Sequence, residues 1–134
     1  RPDMFMMKYL VSSFNSSKKF YLNNFGNHTR DFTYIDDVCK IIKKLILSKN
    51  EKKYHQLFNI CSNKPLNLLR IIRQINNLTF KKPKIFKRSL QKADVIKTHG
   101  SNKKILSKIG KMKFTKIDIG LTKTLSWFKK YYNC

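Results

Sequence analysis

A mixed α/β fold is what this sequence predicts, and three observations carry the expectation. Residues 30–38, Arg-Asp-Phe-Thr-Tyr-Ile-Asp-Asp-Val, alternate like an extended strand and then run straight into apolar helical spacing. That spacing returns at Leu68, Ile71, Ile72 and Ile75, and again at Leu121, Leu125, Phe128 and Tyr132. Between these stretches lie short apolar runs of strand length, at 20–22, 57–61 and 84–87. A chain of 134 residues can bury one modest core, so a single unit spanning 1–134 is expected.

Taken in order, Pro2 and Asp3 are start signals for a helix carrying Phe5, Met6, Tyr9, Leu10 and Phe14, which the polar stretch 12–19 ends. Phe20, Tyr21 and Leu22 form a short strand, and the Asn and Gly residues of 23–27 form a turn, in the plainest reading the turn of a hairpin. In the next strand Arg30, Phe32 and Tyr34 face one way and Asp31, Thr33 and Ile35 the other. Asp36 and Asp37 then serve as the carboxylate cap of a helix with Val38, Ile41, Ile42, Leu45 and Ile46 on its apolar face. A guanidinium fixed at such a junction suits a phosphate, which it grips through two parallel N–H donors. Pairing of Arg30 with Asp31 or Asp36 is the other reading these residues allow.

After a polar connection at 48–55, residues 57–61 read as a buried strand, and Asn67 caps the helix that Leu68 begins, with Arg70 and Arg73 on its solvated flank. Pro83 leads into a basic strand at 84–87. Ile105, Ile109 and Gly110 close a short helix, and residues 111–115 form a loop. The last helix starts near Asp118, with Trp127 and Tyr131 flanking its apolar face as further core packing.

The formal net charge of +23, from 30 basic and 7 acidic residues, would ordinarily point to nucleic acid. The cations are mostly Lys, Ala occurs only at Ala93, and Asn, Ile, Phe and Tyr abound, so an AT-rich coding sequence is the simpler source of the charge. No zinc-finger or RNP-type motif accompanies it. Cys39, Cys61 and Cys134 form no C-x-x-C pair, and His28, His55 and His99 lack ligand spacing; surface or turn positions are expected for the histidines, and no metal. A reducing, cytoplasmic setting fits these cysteines. No apolar run approaches the roughly twenty residues that a membrane span requires.

The 30–38 run resembles the corresponding signature of the extended short-chain dehydrogenase/reductase family, in particular its epimerases acting on UDP-glucuronate. Other segments agree in order. Arg1-Pro2-Asp3-Met4 resembles the family's GRPDMA, Phe58-Asn59-Ile60 with Pro65-Leu66 its YNIGNxxPV, and Gln91-Lys92-Ala93-Asp94-Val95 its QPGDV; Gly120 through Phe128 resembles the closing GVKNFVNWY helix. Departures are Cys61 where the family has Gly, Lys92-Ala93 for Pro-Gly, and Ser101 for an Asp that caps the following helix, a task Ser can share.

The resemblance implies a C-terminal substrate-binding lobe, mixed α+β, of a Rossmann-type protein whose N-terminal dinucleotide-binding part is missing here. It implies a UDP-sugar as ligand, NAD as cofactor bound by that other part, and a homodimeric parent. Arg30 would hold a phosphate, with Leu22, Asn23 and Phe25 at the uracil. Arg1, Gln91 and Asp94 would complete the substrate site. Gln91 matches the glucuronate type, since the glucose type carries an Arg there. No catalytic, cofactor-binding or metal residue is expected in this chain: no Tyr is followed by Lys four residues on, and Gly26, Gly100, Gly110 and Gly120 form no dinucleotide-binding cluster. The implied activity is 4-epimerisation of UDP-glucuronate to UDP-galacturonate for surface polysaccharide precursors, inactive in this chain alone. Another nucleotide-sugar enzyme of the superfamily, whether a UDP-glucose 4-epimerase or a dehydratase, and a basic nucleic-acid-binding module are the alternatives.

Overall fold

A computed structural model describes residues 4–48 and 55–134. In chain order they form α1 (Phe5–Phe14), β1 (Phe20–Leu22), a 3-10 turn (Asn23–Gly26), β2 (Thr29–Asp31), α2 (Ile35–Leu47), β3 (Pro65–Asn67), α3 (Leu68–Thr79), β4 (Ile85–Lys87), α4 (Lys103–Ile109) and α5 (Ile117–Tyr132). The strands make two small sheets. β1 lies parallel to β4, with Tyr21 opposite Phe86, and β2 lies antiparallel to β3, with Arg30 opposite Leu66.

The main core forms where α1, α3 and α5 meet the inner face of β1. Tyr9 and Leu10 of α1, Phe20 and Leu22 of β1, Ile71 and Ile75 of α3, and Leu121 and Phe128 of α5 are all buried together. Each such side chain contributes about 1.5–3 kcal/mol by leaving water. The Tyr9 hydroxyl, buried with its ring, donates to Asn76 Oδ1 at 2.7 Å and so ties α1 to α3. Asn67 caps α3 as its position predicts, Oδ1 accepting from the Leu69 amide at 2.9 Å.

Several expectations change. β1 pairs with distant β4, not with β2, so residues 20–31 are not a hairpin. The strand at 57–61 is absent: Leu57 is exposed, and side chains take its carbonyls, Lys104 Nζ donating to Leu57 O and Asn102 Nδ2 to Cys61 O. A strand needs a neighbour to exchange hydrogen bonds with, and no described strand lies beside this segment. α2 begins at Ile35 with Tyr34 at its N-cap and no side-chain cap; Asp36 and Asp37 sit within the first turn, where a negative charge suits the helix dipole.

Asp37 is buried there and accepts from Thr115 N at 2.7 Å and Thr115 Oγ1 at 3.0 Å, which fastens α2 to the segment ahead of α5. Ser101 caps nothing in α4; Asn102 stands at the N-cap and spends its side chain on Cys61. Cys61 itself is buried against Gly100, where a Cβ would lie 2.7 Å from its Sγ, so the glycine has moved across the contact rather than vanished from it. Trp127 and Tyr131 stack on each other at 5.2 Å but remain 51% and 66% exposed, leaving Phe128 as the inward aromatic of that turn.

Candidate functional site

β2 fixes Arg30 from behind. Its NH1 donates to Thr29 O at 3.0 Å and Ile96 O at 3.1 Å, while the strand's other side is anchored through Asp31. Asp31 accepts from Ser62 Oγ at 2.6 Å, Asn63 N at 3.1 Å and Gly100 N at 3.4 Å. The alternation read in the sequence is thus realised as one face for structure and one for the cation. Neither Asp31 nor Asp36 is the partner of Arg30. Its NH2 faces Asp94 Oδ1 at 3.5 Å.

Asp94 gathers the expected residues. Besides Arg30, Asn23 Nδ2 donates to its Oδ2 at 3.3 Å, and its own amide donates to Gln91 O at 3.0 Å in a turn. Among the described residues its side-chain contacts are all 3.3 Å or longer, a loose cage with room for a carboxylate to move. Leu22 points into the core, but its carbonyl accepts from Arg88 N, and Phe25 N donates to Arg88 O. These bonds set the 3-10 turn beside the cage. Asn24 and Phe25 hold left-handed φ values of 46° and 53° there, which non-glycine residues adopt sparingly and often near sites.

Phe25 is exposed and Gln91 extends into solvent; the structure gives their side chains no part in the Asp94 cage. Arg1 lies outside the described residues.

His28 is the member the sequence reading misses. It is 3% exposed rather than at the surface, with Nε2 at 3.5 Å from Asp94 Oδ2. That distance permits charge attraction, but the nitrogen has no hydrogen-bond partner. The signal was its position two residues before Arg30: in extended chain, residues two apart share a face.

A cleft of about 910 Å³ opens elsewhere, between α1, the 32–36 stretch and α5, with Met4, Phe32, Tyr34, Gly120 and Trp127 in its wall. None of Asn23, His28, Arg30 or Asp94 lines it. Its wall is mainly apolar side chains, whereas the polar side chains Asn23, His28 and Arg30 converge at Asp94. Burial, then Asp31, raises the Cys61 thiol above its ordinary range, which keeps it protonated rather than nucleophilic. Among the described residues no His, Cys, Asp or Glu group could hold a metal ion, and no helix is long and apolar enough to cross a membrane.

Gly26 ends the 3-10 turn, Gly100 abuts Cys61, Gly110 follows α4 and Gly120 lies inside α5 against Tyr34, so none opens a strand-to-helix turn.

Residues 3–61 match the NAD dependent epimerase/dehydratase family. Protein CapI of Staphylococcus aureus is 29% identical over 147 residues, covering 98% of this chain and 44% of that protein. MoeE5, solved in complex with UDP-glucuronic acid and NAD, superposes with a TM-score of 0.88 at 21% identity, over 98% of this chain and 43% of its own. UDP-glucuronic acid 4-epimerase from Bacillus cereus, in complex with UDP-glucuronic acid and NAD, gives 0.84 at 22% identity, over 98% and 41%. The chain therefore spans about two fifths of the length of these proteins. The family match thus lies in residues 3–61, and the chain as a whole has the mixed α/β fold of part of these proteins.

Proposed function

We propose that this chain is the nucleotide-sugar-binding part of an NAD-dependent UDP-sugar 4-epimerase acting between UDP-glucuronate and UDP-galacturonate. The observation that carries the reading is convergence: Asn23 and Arg30, from separate stretches of sequence, both reach the carboxylate of Asp94. Arg30 has its NH1 held by carbonyl oxygens and its NH2 3.5 Å from the Asp94 carboxylate, a loose contact for which a phosphate could compete. NAD use is supported by the family match and by neighbours solved with NAD. Since this chain's glycines build no cradle for it, the cofactor and the hydride step belong to other parts of a longer protein. Such a protein is proposed to act in the cytoplasm as a homodimer, supplying surface polysaccharide precursors.

The test is calorimetric titration with UDP-glucuronate. Arg30→Ala is expected to weaken binding by about 1.5–3 kcal/mol, the loss for a charge-assisted hydrogen bond, and Lys at that position to restore part of it. Equal affinity in wild type and Arg30→Ala would remove the phosphate assignment. MoeE5 has been solved with both UDP-glucuronic acid and UDP-glucose, so a neutral-sugar epimerase is the second reading.

A further inference from the structure

Resting on the nucleotide-sugar reading of the Asp94 cage, we propose that His28 takes up a proton when a nucleotide-sugar anion settles on Arg30, and that the resulting imidazolium then holds Asp94. Among the described residues, three side chains face one carboxylate in the free chain. Asn23 Nδ2, His28 Nε2 and Arg30 NH2 stand 3.3, 3.5 and 3.5 Å from its oxygens. Only the histidine lies within charge range without bonding at that nitrogen, and it is the most deeply buried of the three. A buried polar nitrogen without a partner is costly to keep, and such atoms cluster where a second state satisfies them.

An anion on Arg30 creates that second state. It competes with Asp94 for the guanidinium and sets a second negative charge beside the carboxylate. Asp94 then needs another cation, and the imidazole is already in place. The charged groups that face His28 are Asp94 directly and Arg30 through it; Lys97, whose backbone bridges to Thr29, keeps its side chain in solvent. Loss of Arg30 from Asp94 and arrival of an anion act in the same direction, each favouring the protonated imidazole. Asn23 keeps its bond throughout, being neutral. His28 is thus a positioning residue: it sets the carboxylate rather than touching the reacting sugar.

The sign follows from linkage. A histidine whose proton affinity is higher in the complex than in the free protein strengthens binding below its free titration range and loses that help as pH rises. An imidazole that becomes charged on binding draws a proton from solution, up to about one per site. Titrate the full chain with UDP-glucuronate in buffers of different ionisation enthalpy. Both phosphates of this ligand are esterified, so it adds no titration of its own near neutral pH.

Wild type is expected to take up a proton and to lose affinity severalfold per pH unit above 7. His28→Gln, which keeps a donor but cannot titrate, is expected to bind with no proton uptake and a flat profile. The imidazole resonances of wild type, free and saturated, provide a readout independent of that variant's folding. Binding by wild type without proton uptake, or equal uptake in His28→Gln, overturns the proposal while leaving the nucleotide-sugar reading intact. No binding of UDP-glucuronate at all overturns both.

Discussion

Asp31 and Arg30 are neighbours that work on opposite sides of one strand, and the acid carries the structural half of the task. Its carboxylate receives Ser62 Oγ, Asn63 N and Gly100 N, which joins β2 to two loops distant in sequence. Removing it leaves partly buried donors unsatisfied, each at a cost of about 1–3 kcal/mol. Asp31→Ala is therefore expected to lower stability by about 2–3 kcal/mol in urea denaturation, with Asn at this position recovering part. A shift of only a few tenths would mean that water replaces the carboxylate without strain. Arg1 bears on substrate choice instead. A sugar carboxylate needs a cation that can bind it through two donors, and the proposal gives Arg1 that place. Arg1→Leu in the longer protein should then erode the preference for UDP-glucuronate over UDP-glucose more than it erodes affinity for UDP. An unchanged ratio of kcat/KM on the two sugars would show that Arg1 does not read the carboxylate.

α3 shows how far local chemistry sets an element. Its stripe of Leu68, Ile71, Ile72 and Ile75 is buried as the spacing requires, and Asn67 caps it. Asn67→Ala should lower the unfolding free energy by about 1 kcal/mol, read as a fall in the thermal midpoint. No change would indicate that the Leu69 amide finds water equally well. Helices of this kind were legible because 3.6-residue periodicity is local information. The strand partners were not: β1 finds β4 and β2 finds β3 across the chain, and nothing within three residues names a neighbour. At 57–61 the apolar run correctly signalled partial burial, at Cys61, but apolarity does not specify a ladder. Asn23, Arg30 and Asp94 were named through resemblance, and the structure shows Asn23 and Arg30 both beside Asp94, where the site is proposed. His28 was not, because a histidine in an Asn- and Gly-rich turn reads as solvent-facing until β2 and residues 94–96 close over it.

At the scale of the whole molecule, the core is well filled but several apolar surfaces face outward. On α2, Ile41 is buried, whereas Ile42, Ile46 and Leu47 are exposed, and Leu57 beyond the helix is 83% exposed. Contiguous apolar surface of that sort favours association. The chain by itself should sediment as concentration-dependent assemblies, and Ile46→Lys should shift them toward monomer; a monodisperse wild-type monomer with a sharp thermal transition would contradict this. Both sheets also bear on how the molecule comes together in time. Each joins strands across a long connection, Thr29–Asp31 to Pro65–Asn67 and Phe20–Leu22 to Ile85–Lys87, so neither can nucleate by closing a short loop, and long closures slow folding. Helices can form early; the Leu22–Arg88 and Thr29–Ile96 hydrogen bonds that shape the cage must wait for the ends of long loops to meet. The surface proposed to bind ligand is then the last part to be acquired and the first surrendered under stress, so a slightly weakened variant is expected to lose the cage while its helices still stand.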